Sequence, residues 1–301
     1  MQFAKPPTTY DQQIKILEDR GMVVPDHDRA RHYLSHLNYY RISAYWLPFQ
    51  DGSGTHQFKE NANFEDALDC YVFDRELRLL VMDAIERFEV SLRTQWAYHL
   101  AQEYGSHAYL DQNLFRNIRQ YNISLDKLKS EIDRSHETFI KHYSATYTDP
   151  EYPPIWAVVE VMSYGQLSKL FSNLQHRKDR NSIARIYGLD EKIIVSLLHH
   201  LTIVRNTCAH HGRLWNRRFT FTIKVPNHAD NVLLNSLRKD NTKYIYNTLV
   251  MLEYLIEIIS PDSRWGERLT GLLAKYEIAN PKSMGFPDDW QKRAIWQKHF
   301  D

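Results

Sequence analysis

The sequence predicts an all-α fold, and two observations carry that expectation. Glycine is scarce, at 10 of 301 residues, and glycine and proline punctuate β-rich and loop-rich chains, so their scarcity favours long helices. Apolar residues recur at steps of three and four through Leu77, Leu80, Val81, Ala84, Ile85, Phe88 and Leu92, the period of a helix with a buried face. Against these stands one alternating, β-branched segment, FTFTIKV at 219–225, which is expected to be a short strand or an extended stretch.

The elements follow in order. Residues 8–20 read as an amphipathic helix on Ile14, Ile16 and Leu17, stopped by Gly21. Asp26 is placed to cap a second helix to about Leu37. The aromatic run Tyr39, Tyr40, Tyr45, Trp46 ends at Pro48, and DGSGTHQ at 51–57 is a loop without the GK[ST] that a phosphate-binding loop needs. Asn63 opens the longest helix, about 64–103, which Gly105 ends. A helix is expected from Ser124 to Tyr143, and another from Ile155 that Gly165 breaks before Leu167–Leu174. Shorter patterns cover 180–187, stopped by Gly188, and 190 to about 211, stopped by Gly212. Helices at Asn241–Ile259 and Arg264–Tyr276 precede a tail whose Phe286, Trp290 and Trp296 are expected to dock on the body.

Apolar residues make up 43% of the chain, enough for a sizeable core in one domain or two modest ones. The expected division is an N-terminal helical extension, 1–60, packed on a helical body, 61–301. Cys70 and Cys208 are too few for a disulfide framework. Lys5, Pro6 and Pro7 interrupt any leader-like apolar run, and Tyr244–Ile259 is too short to span a bilayer and carries Glu253 and Glu257. A cytoplasmic protein with no membrane partner is therefore expected.

The formal net charge of +1 hides an uneven distribution. No acidic residue lies between Glu191 and Asp230, a window holding Lys192, Arg205, Arg213, Arg217, Arg218 and Lys224 and five histidines. Such a patch suits an anionic partner; the plainer reading is that its charges pair with acids elsewhere in the fold.

Within the window stands Arg205-Asn206-Thr207-Cys208-Ala209-His210. These side chains suit RNA cleavage without a metal. A histidine with a pKa near about 6.5 moves protons at neutral pH, a guanidinium holds phosphoryl charge, and RNA brings its own 2′-hydroxyl as nucleophile. On one helix Asn206 and His210 lie almost one above the other, whereas Arg205 is turned away by roughly 140°. Either the long arginine swings round, or two copies of the chain meet across a two-fold axis and share the site, which a homodimer does naturally. Against this, an R-x4-H spacing arises by chance, and histidines at a helix end also stabilise its carbonyls when charged.

The string RNTCAHHGRLWNR at 205–217 resembles the signature of Abi-like (abortive infection) proteins. The resemblance extends to YYRISAYWLPF at 39–49, FDRELRLL at 73–80, IERFEVSLR at 85–93, PPIWAVVEVMSYGQLSKL at 153–170 and MGFPDDW at 284–290. That family is similar to HEPN-domain ribonucleases, whose sites use R-x(4–6)-H with a polar residue after the arginine. The resemblance implies an all-α HEPN-like bundle and a metal-independent endoribonuclease, or toxin, of phage defence that acts as a homodimer without cofactor. It assigns His210 to proton transfer, Arg205 to phosphoryl charge and Asn206 to orienting His210 or holding phosphate. His211, Arg213, Arg217 and Arg218 are further candidates for RNA contact, and His211 serves equally well as a helix-end cap.

Other constellations weigh less. His199, His200, Cys208, His210 and His211 lack the CxxC or HExxH spacing of a zinc site, so no metal is expected. Arg75, Arg78, Glu86, Glu89 and Arg93 are surface ion pairs or a buried network, and the resemblance favours the network; Glu160 belongs with them. The aromatics at 39–46 are expected in the core rather than stacked on bases, and Asp288 and Asp289 at a helix N-terminus. Two further readings stay open: a protein that holds a structured RNA and cleaves little, and an interaction module with no RNA partner. The first tolerates loss of His210, whereas catalysis does not.

Overall fold

A computed structural model describes residue 2 and residues 6–300 of the chain. Lys5, one of the residues that interrupt the N-terminal apolar run, lies outside them. Fourteen α-helices and several short 3-10 turns account for the regular structure of the described residues, which otherwise hold only isolated β-bridges.

α1 (Tyr10–Asp19) starts at a Thr9–Gln12 capping box, and α2 (His27–His36) at Asp26, whose side chain accepts from the Arg29 amide. α3 (Tyr39–Trp46) follows from Asn38. Ile14, Leu17, Ala30, Leu34, Ile42 and Trp46 close a small core against Phe58, Phe64 and Leu68. Phe49 and Tyr71 pack on this cluster and on the main core alike.

α4 (Phe64–Tyr104) is the axis of the molecule. Its 41 residues span roughly 60 Å at the helical rise. Asn63 caps it, and Gly105, at φ 93°, ends it. It packs against α3, α7, α9, α10, α12 and α13, which explains why apolar residues occur on more than one of its faces.

α5 (Ile118–Arg134) and α6 (Thr138–Thr146) are two helices where the sequence predicts one from Ser124 to Tyr143. α7 (Ile155–Val161) and α8 (Tyr164–Asn173) are separated three residues before the expected break. Met162 ends the first, Ser163 caps the second through a box with Gln166, and Gly165 sits inside the first turn of α8. Arg93, paired with Glu89, donates to the carbonyls of Met162 (2.6 Å) and Glu160 (3.2 Å), so it holds this junction against α4.

α9 (Arg177–Arg185) and α10 (Glu191–Ala209) complete the body's first half. The segment 219–225 bends at Thr220 and Phe221 and forms no strand: the Phe219 amide donates to the Lys243 carbonyl, and the Lys224 amide to Ser196 Oγ. α11 (Asn231–Ser236), α12 (Tyr246–Ile259), α13 (Trp265–Lys275) and α14 (Ala294–Gln297) close the chain. Phe286 and Trp296 are buried and Trp290 is half-buried, so the tail docks as the sequence predicts. Asp289 precedes a 3-10 turn rather than a helix and pairs with Arg293, while Asp288 pairs with Lys282.

Candidate active site

α10 carries the Arg205–His210 sequence at its C-terminal end. Asp190 starts it by accepting from the amides of Lys192 (2.7 Å) and Ile193 (3.1 Å). Ile193, Ile194, Leu197, Leu198, Leu201, Val204 and Cys208 are buried in the core, which leaves an outward stripe. Lys192, His199 and Asn206 are exposed along it at seven-residue intervals, about two turns each.

The helix ends two residues before the sequence predicts. Ala209 is its last residue and His210 its C-cap, with the His210 amide donating to the Asn206 carbonyl at 3.0 Å. His211 adopts the left-handed conformation, φ 57°. Its amide reaches the Cys208 carbonyl (3.0 Å) and the Gly212 amide the Thr207 carbonyl (2.7 Å), the paired bonds of a Schellman motif. The stop is therefore His211, a residue type that tolerates this region better than most. Gly212 serves a different need: a Cβ there would stand 3.1 Å from the Thr207 carbonyl oxygen.

Three contacts distant in sequence clamp the turn. Arg41 of α3 donates to the His211 carbonyl at 2.8 Å. Asp74 of α4, fully buried, accepts from the amides of Leu214 (2.9 Å) and Trp215 (2.6 Å), from Tyr45 Oη (2.7 Å) and from Arg78. Arg213 donates to the Ala44 carbonyl. Burial pushes the Asp74 carboxyl above the usual range, opposed by Arg78 and the amide donors. Burial also raises the Tyr45 hydroxyl and lifts the Cys208 thiol to about 12, so neither is a proton donor or nucleophile near neutral pH.

The structure thus sorts the sequence-predicted residues. Asn206 and His210 are exposed on one stripe of α10, and Arg205 is half-buried on its flank. Among the described residues, the side chains of Arg205, Asn206, His210, His211 and Arg218 make no hydrogen bond or ion pair. Arg217 is exposed and lies over the Phe219 ring at 5.8 Å. Arg213, by contrast, turns inward, and burial lowers its pKa. Arg41 and Asp74 are not singled out individually by the sequence, although each lies in a segment that carries the resemblance. The aromatics at 39–46 divide: Tyr45 and Trp46 are buried, whereas Tyr40 is 81% exposed.

The adjacent histidines also diverge. His199 is exposed beside Phe221, and His200 is buried with Nδ1 at 2.8 Å from the Phe221 carbonyl and Nε2 at 2.8 Å from Thr248 Oγ1. The carbonyl only accepts, so Nδ1 donates and Nε2 accepts from the threonine, the arrangement of a neutral ring. Burial pushes the His200 pKa down to about 4. Its stabilising contribution is full above the unfolded value of about 6.5 and is lost as pH falls toward 4, on the order of 3 kcal/mol in all. The stability gap between the native chain and His200→Ala is expected to narrow over that window in denaturant titrations; a gap independent of pH contradicts this role.

No curated protein matches the chain at significant similarity. No solved structure does so either. The sequence model of the Abi-like protein family matches residues 32–216, which takes in the Arg41 and Asp74 clamps and the whole Arg205–His210 stretch. With more than half of its length matched, the chain belongs to the Abi-like protein family, and membership implies a role in abortive infection, a form of phage defence.

Proposed function

We propose that this protein is a metal-independent endoribonuclease of the HEPN type, acting in phage defence. The observation that carries the reading is a division of labour around the end of α10. Arg41, Asp74 and Arg213 are spent on holding the turn. Arg205, Asn206 and His210, the side chains suited to phosphoryl transfer, are left without protein partners among the described residues. A rigid backbone that presents free polar groups is what a preorganised site requires.

In this reading His210 exchanges the proton of the 2′-hydroxyl or of the leaving 5′-oxygen. Arg205 stabilises charge on the phosphoryl oxygens, and Asn206, one turn below His210, orients the ring or the phosphate. The roughly 140° between Arg205 and His210 favours a homodimer in which the arginine of one copy serves the histidine of the other. The test is cleavage of labelled single-stranded RNA with EDTA present. Cleavage is expected. A chain that binds the RNA and leaves it intact overturns the nuclease reading in favour of an RNA-holding protein.

A further inference from the structure

The outward stripe of α10 does not stop at Asn206. Toward the helix N-terminus it enters a groove of about 800 Å³ between α5, α8, α10 and the segment 219–225. Arg116, Lys169, Lys192 and Lys224 line it, all exposed. Among the described residues the three lysines have no ion-pair partner. Arg116 donates to the Ser172 carbonyl at 2.6 Å, which anchors its guanidinium at the rim.

The one carboxylate in the lining is Glu191. It is buried and held by Arg180 (3.0 Å) and Arg177 (3.3 Å), so it does not offset the lysines. The groove also holds an aromatic surface. Phe221 is 40% exposed and meets the His199 ring edge-on at 4.1 Å between centroids.

The geometry points to this groove as a binding track for single-stranded RNA, which leads the strand along α10 to His210. A basic channel that follows the backbone, with an aromatic face for a base, is how proteins hold single strands without reading sequence. His199 and His210 are eleven residues apart, about 16 Å along the helix, which a stacked strand covers in about five nucleotides. Lys192, Lys224 and Lys169 neutralise phosphates, and Phe221 with His199 receives a base. The inference rests on the ribonuclease reading for its direction along α10, but the groove itself is tested by binding alone.

The experiment is fluorescence anisotropy with a 5′-labelled 12-nucleotide single-stranded RNA over a series of salt concentrations, in a His210→Ala background so that the probe survives. Lys192→Glu/Lys224→Glu is expected to weaken binding about tenfold or more at moderate salt. It should also make the slope of log affinity against log salt shallower by about 1.4, at about 0.7 for each phosphate that is no longer neutralised. Phe221→Ala is expected to weaken binding about fivefold or more, and Lys15→Glu, on α1, to change neither quantity. Lys192→Ala/Lys224→Ala supplies the same test if charge reversal shifts the melting temperature. Groove variants that bind as tightly as their parent, or a parent that does not bind the probe, overturn the inference. The catalytic reading is judged separately, by cleavage with His210 intact: intact RNA alongside groove-dependent binding removes the nuclease and leaves the groove.

Discussion

His210→Ala is expected to lower RNA cleavage by about 10²–10⁴-fold, the range for losing a general acid or base. Arg205→Ala is expected to lower it by about 10²–10³-fold, as removal of a donor to developing charge does. Arg205→Lys should not restore activity, because an ammonium cannot present a guanidinium's forked donors. Both losses should come without loss of fold. Neither side chain has a hydrogen-bond partner among the described residues; a substitution at exposed His210 stays within about 0.5 kcal/mol, and one at half-buried Arg205 adds the lost packing of its stem. Mixing the two variants is informative as well. If one copy's arginine serves the other's histidine, random dimers regain one intact site in half of the pairs, about a quarter of native activity. Single-turnover cleavage with melting curves alongside checks all of this; variants that unfold, or that cleave at the native rate, contradict it.

Asp74→Ala carries the opposite signature. It strips a fully buried carboxylate from Arg78, from Tyr45 and from two backbone amides. Breaking a buried pair by removing one partner costs about 3–5 kcal/mol, because the other charge stays buried and uncompensated. The loss should appear as a lower denaturant midpoint, and cleavage should fall with it as Leu214 and Trp215 release the turn that follows His211. Asp74→Asn keeps an acceptor of the same shape and should lose less. A midpoint for Asp74→Ala within about 1 kcal/mol of native contradicts the clamp. The pair of expected results separates two kinds of residue near one turn: one required for chemistry and dispensable for folding, as proposed for His210, and one required for folding, as expected for Asp74.

Local signals in the sequence carry most of the helical map. α4 begins at Asn63 and ends at Gly105, and α2 begins at Asp26, because caps and left-handed stops are properties of one or two residues. The break between α5 and α6 is not legible. Leu125, Leu128, Ile132 and Phe139 keep one helical phase across it, and residues 135–137 contain neither glycine nor proline. Gly165 marks the α7–α8 break in the sequence, but the Ser163 capping box sets it. The alternation of 219–225 suggests a strand, yet its polar groups are met by Ser196, His200 and the Lys243 carbonyl, with no neighbouring strand to pair with. At the site, residue types and spacing name Arg205, Asn206 and His210. The clamp is hidden, because Arg41 and Asp74 reach the turn across 170 and 140 residues of chain. So is Arg213's inward turn, since nothing local distinguishes an arginine that will meet a carbonyl from one that will meet a phosphate.

The most direct measurement of the central claim concerns the bond that breaks. A labelled RNA is cleaved with EDTA present, the site is mapped, and the same strand is remade with a single 2′-deoxy nucleotide on the 5′ side of that bond. If the RNA's own 2′-hydroxyl attacks under His210, the native strand yields 2′,3′-cyclic phosphate and 5′-hydroxyl ends, and the deoxy strand stays intact at that position. Undiminished cleavage of the deoxy strand, or 5′-phosphate ends from the native one, contradicts this mechanism.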